Sequence, residues 1–213
     1  DMNHFYIGDF NNNRIRYVKP NSVPYFTGGV AIPFVVCQNS VGDSLNTLLQ
    51  VIDSDNAQSL TWSVVTPANH GALVASALRT SNGGAITPTG LYYTPTTGYS
   101  GLDTFVVEIA DPYNSSTTTV YVTVNPFPVV AAIGGSNTVC LGGTTTLTDA
   151  TAGGTWGATN TNASVASGLV TGLVLGVDTI TYAVTNSCGT TTVSKVVTVI
   201  TTPAIPAAIT GPA

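Results

Sequence analysis

The sequence predicts an all-β protein, two tandem β-sandwiches preceded by a short β-hairpin. Three observations predict it. Short runs of β-branched and aromatic residues recur along the chain, cut by Gly, Asn, Pro and Ser at roughly 8–12-residue spacing. No window keeps an i, i+3, i+4, i+7 apolar pattern with good helix formers for three turns. And 213 residues is enough for two ordinary domains. Charged residues make up only 7% while 43% are hydrophobic, so the chain folds and covers its surface with hydroxyls and amides in place of charges.

The first element is a hairpin, Phe5–Asp9 returning through Asn12 and Asn13 to Arg14–Val18. Three of the five Lys and Arg residues (Arg14, Arg16, Lys19) lie here. The first module follows with strands at about 30–36, 46–52, 60–65, 72–77, 91–94, 104–110 and 120–124. Phe105, Val107 and Ile109 alternate with Thr104, Val106 and Glu108, as one buried face requires. Val120, Val122 and Val124 alternate likewise with Tyr121 and Thr123. The two runs read as a closing hairpin around Pro112–Ser116. Pro126 then ends the module, because proline cannot continue a hydrogen-bonded central strand. Seven strands over roughly 95 residues match an immunoglobulin-type sandwich.

The second module has strands at about 126–133, 144–149, 154–158, 163–166, 168–173, 178–185 and 190–200. Lys195 shares its face with Val193, Val197 and Val199, so either it snorkels to the rim or a bulge shifts the register. Finally, Pro206–Gly211 repeats the texture of Val130–Gly135, about one module on, as if a further repeat begins near Thr202. The expected domains are therefore 1–29, 30–125, 126–201 and the start of a truncated repeat at 202–213.

Three resemblances sharpen this. Residues Gly154–Asn160, Ser164–Gly172 and Gly176–Tyr182 resemble the bacterial group 2 immunoglobulin-like domain, with its Trp turn, its G-x-V-x-G and its G-x-x-x-I-x-Y. Asp53-Ser-Asp55, Leu60–Val64, Pro67–Gly71, Tyr93–Pro95 and Gly98–Phe105 resemble the cadherin-like modules of bacterial surface proteins. Phe5–Asp9 with Asn12–Arg16 resembles the end of an NHL repeat, a β-propeller blade; one blade cannot bury its own faces, so this resemblance implies a propeller upstream. Together they imply a modular cell-surface or secreted protein without a catalytic centre of its own.

Charge and composition exclude other classes. A net charge of −5 and a pI near 4.5 leave no basic face for nucleic acid. No apolar run approaches the roughly 20 residues of a membrane span, and no basic, signal-type segment opens the chain. Cys37, Cys140 and Cys188 have no metal-type spacing. Sparse charge and sparse cysteine fit an extracellular β-protein.

Among chemically able residues, Asp53, Asp55 and Asp111 stand first. In an immunoglobulin-type topology the second and sixth strands run the same way, so these three carboxylates meet at one pole. They either hold a hard cation such as calcium, which takes six to eight oxygens, or shape turns through side-chain to backbone bonds. Asp103 stands further from this group. His70 sits in a Pro-x-x-His-Gly turn with no nucleophile paired to it. Glu108, the only glutamate, alternates outward without a partner carboxylate for glycoside hydrolysis. Trp62 and Trp156 each fall on a third strand, where core packing outweighs sugar stacking. Tyr92, Tyr93 and Tyr99 offer an exposed aromatic patch for carbohydrate. A disulfide is expected between Cys140 and Cys188 if a displaced first strand brings them together; Cys37 is expected to be a buried thiol.

The leading expectation is a non-catalytic structural and adhesive segment of a large bacterial surface protein, whose sandwiches act as rigid spacers presenting binding surfaces. Its partners would be neighbouring repeats and a surface glycan or protein. Two alternatives stand beside it: a subunit of a self-assembling extracellular filament or sheath, and accessory or carbohydrate-binding modules of a secreted enzyme.

Overall fold

The computed structural model describes residues 5–9 and 14–203. It divides into two compact units, Asp1–Pro126 and Phe127–Ala213, so the chain is all-β with two β-sandwich modules, and the division falls at the expected proline. Ahead of the first module, Phe5–Asp9 pairs antiparallel with Arg14–Val18 as a two-stranded sheet. The expected further repeat lies, from residue 204, outside the described residues.

One face of the first module is a five-stranded sheet. Its order is Ala31–Cys37, Ser115–Asn125, Gly101–Ala110, Asn56–Thr66 and Ala77–Asn82. Short strands make the other face, in two three-stranded sheets: Ala85–Ile86, Val51–Ile52 and Tyr25–Phe26, then Asp43–Ser44, Tyr92–Pro95 and Gly71–Val74. Alternation drives the packing. Phe105, Val107, Ile109, Val120 and Val122 are fully buried, while Tyr121 on the same hairpin is 53% exposed. They form one core with Trp62, Tyr93, Leu45, Leu49, Leu60 and Leu91.

Two expectations shift here. The run expected as a strand at 46–52 is extended only at Val51–Ile52. Before it the chain makes one helical turn, closed by Leu49 N–H donating to the Leu45 carbonyl at 2.9 Å. Residues four apart share a helical face, which is how both leucines reach the core. The boundary expected at residue 30 also falls earlier. Tyr25–Phe26 pairs with Val51–Ile52, Phe26 is buried, and Thr118 Oγ1 donates to the Gly29 carbonyl at 2.8 Å.

The second module sets two four-stranded sheets face to face. One orders Thr138–Cys140, Gly189–Ile200, Gly176–Asn186 and Thr155–Ala158; the other orders Gly134–Gly135, Thr144–Thr148, Leu169–Gly172 and Ala163–Ala166. Between them lie Val139, Leu147, Val170, Ile180, Val197 and Val199. The strand expected at 126–133 does not form. Pro126 and Pro128 lack ladder donors, and pairing starts only at Gly134 and Thr138. Lys195 follows the snorkelling alternative: the pairing of Gly176–Asn186 with Gly189–Ile200 runs unbroken, and Lys195 Nζ donates to the Ile133 carbonyl at 3.3 Å.

In both modules an early strand lies parallel beside the last one. Ala31–Cys37 runs with Thr119–Asn125, and Thr138–Cys140 with Thr198–Ile200.

Candidate functional site

The tightest polar constructions are two buried aspartates that occupy matching places in the two modules. Each belongs to a Gly-x-Asp-Thr segment opening a long core strand, Gly101–Thr104 and Gly176–Thr179. Both glycines hold φ at +138°, a conformation that side chains rarely adopt. Asp103 accepts the N–H groups of Asn69 and His70 at 3.0 Å each and of Thr104 at 2.9 Å. Tyr93 Oη also donates to it, at 2.9 Å. Burial first, and then this bond, hold the Tyr93 phenol above its usual range. Asp178 is fully buried and accepts from Thr159, Asn160 and Thr179 N–H at 3.2, 3.1 and 2.8 Å on Oδ1. Its Oδ2 accepts Ala163 N–H at 2.9 Å. Each carboxylate thus satisfies a loop that has no sheet partner for its own donors. The recurrence of Gly-x-Asp-Thr once per module was the signal for both; the sequence reading singled out neither as an anchor.

Asp53 and Asp111 follow the ends of Val51–Ile52 and Gly101–Ala110, Asp55 precedes Asn56–Thr66, and protein donors meet all three. Asp111 Oδ1 accepts Tyr113 and Asn114 N–H at 2.6 Å each, and its Oδ2 accepts Asn21 Nδ2 at 2.9 Å. Asn21 Oδ1 accepts in turn from Gln58 Nε2. Asp55 Oδ2 accepts Ser22 N–H at 2.6 Å, and Lys19 Nζ stands 3.2 Å from its Oδ1. The Ser22 N–H, then Lys19, hold the Asp55 carboxyl below its ordinary value. Asp53 is buried, with Oδ1 accepting Asp55 N–H at 2.9 Å. Asp53 Oδ2 meets no donor in the protein, and among the described residues no group of three or more His, Cys, Asp or Glu could hold a metal ion. At Asp55 and Asp111 these contacts follow the turn-shaping reading and also dock residues 19–22.

The remaining candidates separate in space. His70 stacks on Tyr99, with ring centroids 4.1 Å apart and planes 6° from parallel. Glu108 is half-buried between Ser63 and Thr117 on the neighbouring strands. The tyrosine patch does not assemble. Strand alternation turns Tyr93 fully into the core, leaving Tyr92 exposed and Tyr99 on His70. Trp62 is fully buried, its Nε1–H donating to the Leu49 carbonyl at 3.0 Å. Trp156 is only partly covered and packs on Tyr182 at 4.8 Å.

The expected bridge between Cys140 and Cys188 does not form: Cys140 is free, whereas Cys188 and, against the expected buried thiol, Cys37 each stand in a disulfide. A displaced first strand does run beside the last, as that bridge required, but it meets the wrong end. Cys140 lies opposite Ile200, while Cys188 precedes Gly189 at the start of the same twelve-residue strand. At about 3.3 Å per residue the ends stand roughly 36 Å apart, against about 7 Å for a disulfide. Without reductant, maleimide labelling and peptide mapping should therefore find one thiol per chain, at Cys140, and all three after denaturing reduction. Label on Cys37 or Cys188 in the unreduced protein would contradict the assignment.

Residues 21–125 match the family model described as a bacterial Ig domain. No curated protein matches the sequence. Among solved structures, the chain is similar to human protocadherin-24 EC1-2, at 13% identity and a TM-score of 0.42, over 86% of this chain and 100% of that one. It is similar to extracellular cadherin domains 1–4 of protocadherin gamma B7, at 16% identity and a TM-score of 0.35, over 83% and 49%. It is also similar to Drosophila N-cadherin EC1-4, at 10% identity and a TM-score of 0.38, over 89% and 54%. The chain thus spans about half the length of two of these three structures. The matches give the propeller-blade resemblance of residues 5–16 no support, and the family match begins only at residue 21.

Proposed function

With a bacterial Ig domain at residues 21–125 and a second sandwich directly after it, we propose that the chain is a non-catalytic structural and adhesive segment of a secreted or cell-surface bacterial protein. The tandem of sandwiches is the observation that carries this reading. Such modules act as spacers, each stiff in itself, whose exposed surfaces engage a partner beyond the cell.

Three further features support it. The buried acceptors Asp103 and Asp178 are engaged in tying loops to strands. Disulfide-bonded Cys37 and Cys188 suit an oxidising compartment. Sparse charge also lets copies approach without strong repulsion.

Equilibrium sedimentation and adhesion of protein-coated beads to host cells or to the producing bacterium test the proposal together. A monomer that confers adhesion is expected. Concentration-dependent filaments would favour the sheath alternative, and a monomer that leaves bead adhesion at the background level would remove the adhesive role.

A further inference from the structure

The second module carries a cleft of about 260 Å3 where its two sheets part. Thr146, Thr148 and Asp149 line it from one sheet with Ser167, and Trp156 and Tyr182 from the other. We infer that this cleft is a carbohydrate subsite, holding one pyranose ring against Trp156 with its hydroxyls donated to Asp149. This deepens the adhesive reading above and rests on it for biological meaning, though not for its chemistry.

Asp149 is the first argument. Its Oδ1 accepts Thr151 N–H at 2.8 Å, but Oδ2 is shut off from bulk solvent and has no donor in the protein. A screened carboxylate oxygen without a donor costs free energy, and a rotation of the half-buried Asp149 side chain would bring it to a ligand hydroxyl in the cleft that supplies one. Ser167 is the second. The turn joining Ala163–Ala166 to Leu169–Gly172 has both central residues at positive φ, +49° for Ser167 and +85° for Gly168. That turn type favours Asn or Gly at its first central position, yet the chain keeps a serine whose residue lines the cleft. A sparsely populated backbone held at a cleft wall fits a binding role.

The floor is fixed before any ligand arrives. Tyr182 Oη donates to the Thr151 carbonyl at 2.7 Å and accepts Gly154 N–H at 2.8 Å. Thr151 is the residue that also holds Asp149, so one network positions the carboxylate and the aromatic pair together.

Size and lining choose the ligand class. The volume lies below the range of drug-sized pockets, which suits a single ring better than a peptide. Beside Leu147 and Tyr182, two threonines, one serine, one carboxylate and one indole match a sugar, with its many O–H donors and its C–H face. A lysine or other ammonium would want several aromatic faces or paired carboxylates; here the Tyr182 hydroxyl is already engaged and its ring is tilted 49° to the indole.

The protein carries its own reporter, because of its two tryptophans Trp62 is fully buried in the other module. Tryptophan emission of the whole chain would be followed during titration with methyl α-D-glucoside, methyl α-D-mannoside and methyl β-D-galactoside, and separately with N-acetyl-lysine amide. At least one glycoside should shift the emission and saturate at about millimolar concentration, as expected for a ligand of a dozen heavy atoms. Asp149→Asn keeps an acceptor for Thr151 but replaces Oδ2 by a donor, and should weaken binding about tenfold or more. Thr148→Val, at an exposed strand position, keeps the β-branched shape and should weaken it severalfold; it carries the test alone if the first variant melts early. The inference falls if no glycoside shifts the emission, if only the lysine amide saturates, or if the folded variants bind like the parent. The titration reads the cleft alone, so it can fail while the bead adhesion succeeds, and the reverse.

Discussion

Asp178→Ala is expected to destabilise the second module by about 3–5 kcal/mol. Four main-chain N–H groups and the Thr159 hydroxyl converge on this one buried carboxylate. Alanine removes the acceptor and leaves the donors. Thr159 and Asn160 lie in an exposed turn and can rehydrate, but Ala163 is buried, where an unmet donor costs about 1–3 kcal/mol. Bonds to a charged acceptor contribute about 1.5–3 kcal/mol each before any rehydration, which sets the range. The loss is a large share of a stability near 5–15 kcal/mol. Asp178→Asn should cost about half as much, since an amide oxygen can still serve the four donors now on Oδ1. Urea denaturation followed by Trp156 emission reads both variants. A loss below about 1 kcal/mol for Asp178→Ala would mean that the loop finds other acceptors.

Trp62→Ala should cost the first module about 3–5 kcal/mol, the range for deleting a large buried aromatic. The indole is fully buried among Leu45, Leu49, Leu60 and Ile109, so truncation leaves a cavity as well as lost transfer energy. It also strips the Leu49 carbonyl of its Nε1–H donor, at the helical turn that carries Leu45 and Leu49 inward. Trp62→Phe, which loses the hydrogen bond but less volume, should cost about 1–3 kcal/mol. Circular dichroism in a urea series measures the difference. Near-equal costs for the two variants would show that the hydrogen bond, and not the volume, dominates.

Local signals were legible and long-range ones were not. The alternation around Phe105, Val107 and Ile109 reads directly, because a half-buried strand has a period of two whatever lies across from it. Lys195 was readable for the same reason, up to a choice that only the unbroken register decides. The run Leu45–Ile52 misled because apolar residues at 45, 48, 49, 51 and 52 suit a helical turn as well as a buried strand. Cysteine pairing failed for a different reason. Which end of the last strand Cys140 meets depends on the parallel direction of a partner some 60 residues away, and composition carries no trace of it. Asp103 and Asp178 went unread as anchors because their donors come from loops well back along the chain. The same limit hid the donors on Asp55 and Asp111, which come from residues 19–22.

The parallel pairing of an early strand with the last one has a mechanical consequence. Tension applied to the two ends of a single module pulls those two strands past each other along their length, so their hydrogen bonds are loaded together in shear and are not unzipped in turn. The first module sets seven residue pairs in that clamp, from Ala31 against Thr119 to Cys37 against Asn125. The second sets three, from Thr138 against Thr198 to Cys140 against Ile200. Pulled one at a time, the module with the three-pair clamp is expected to yield at the lower force.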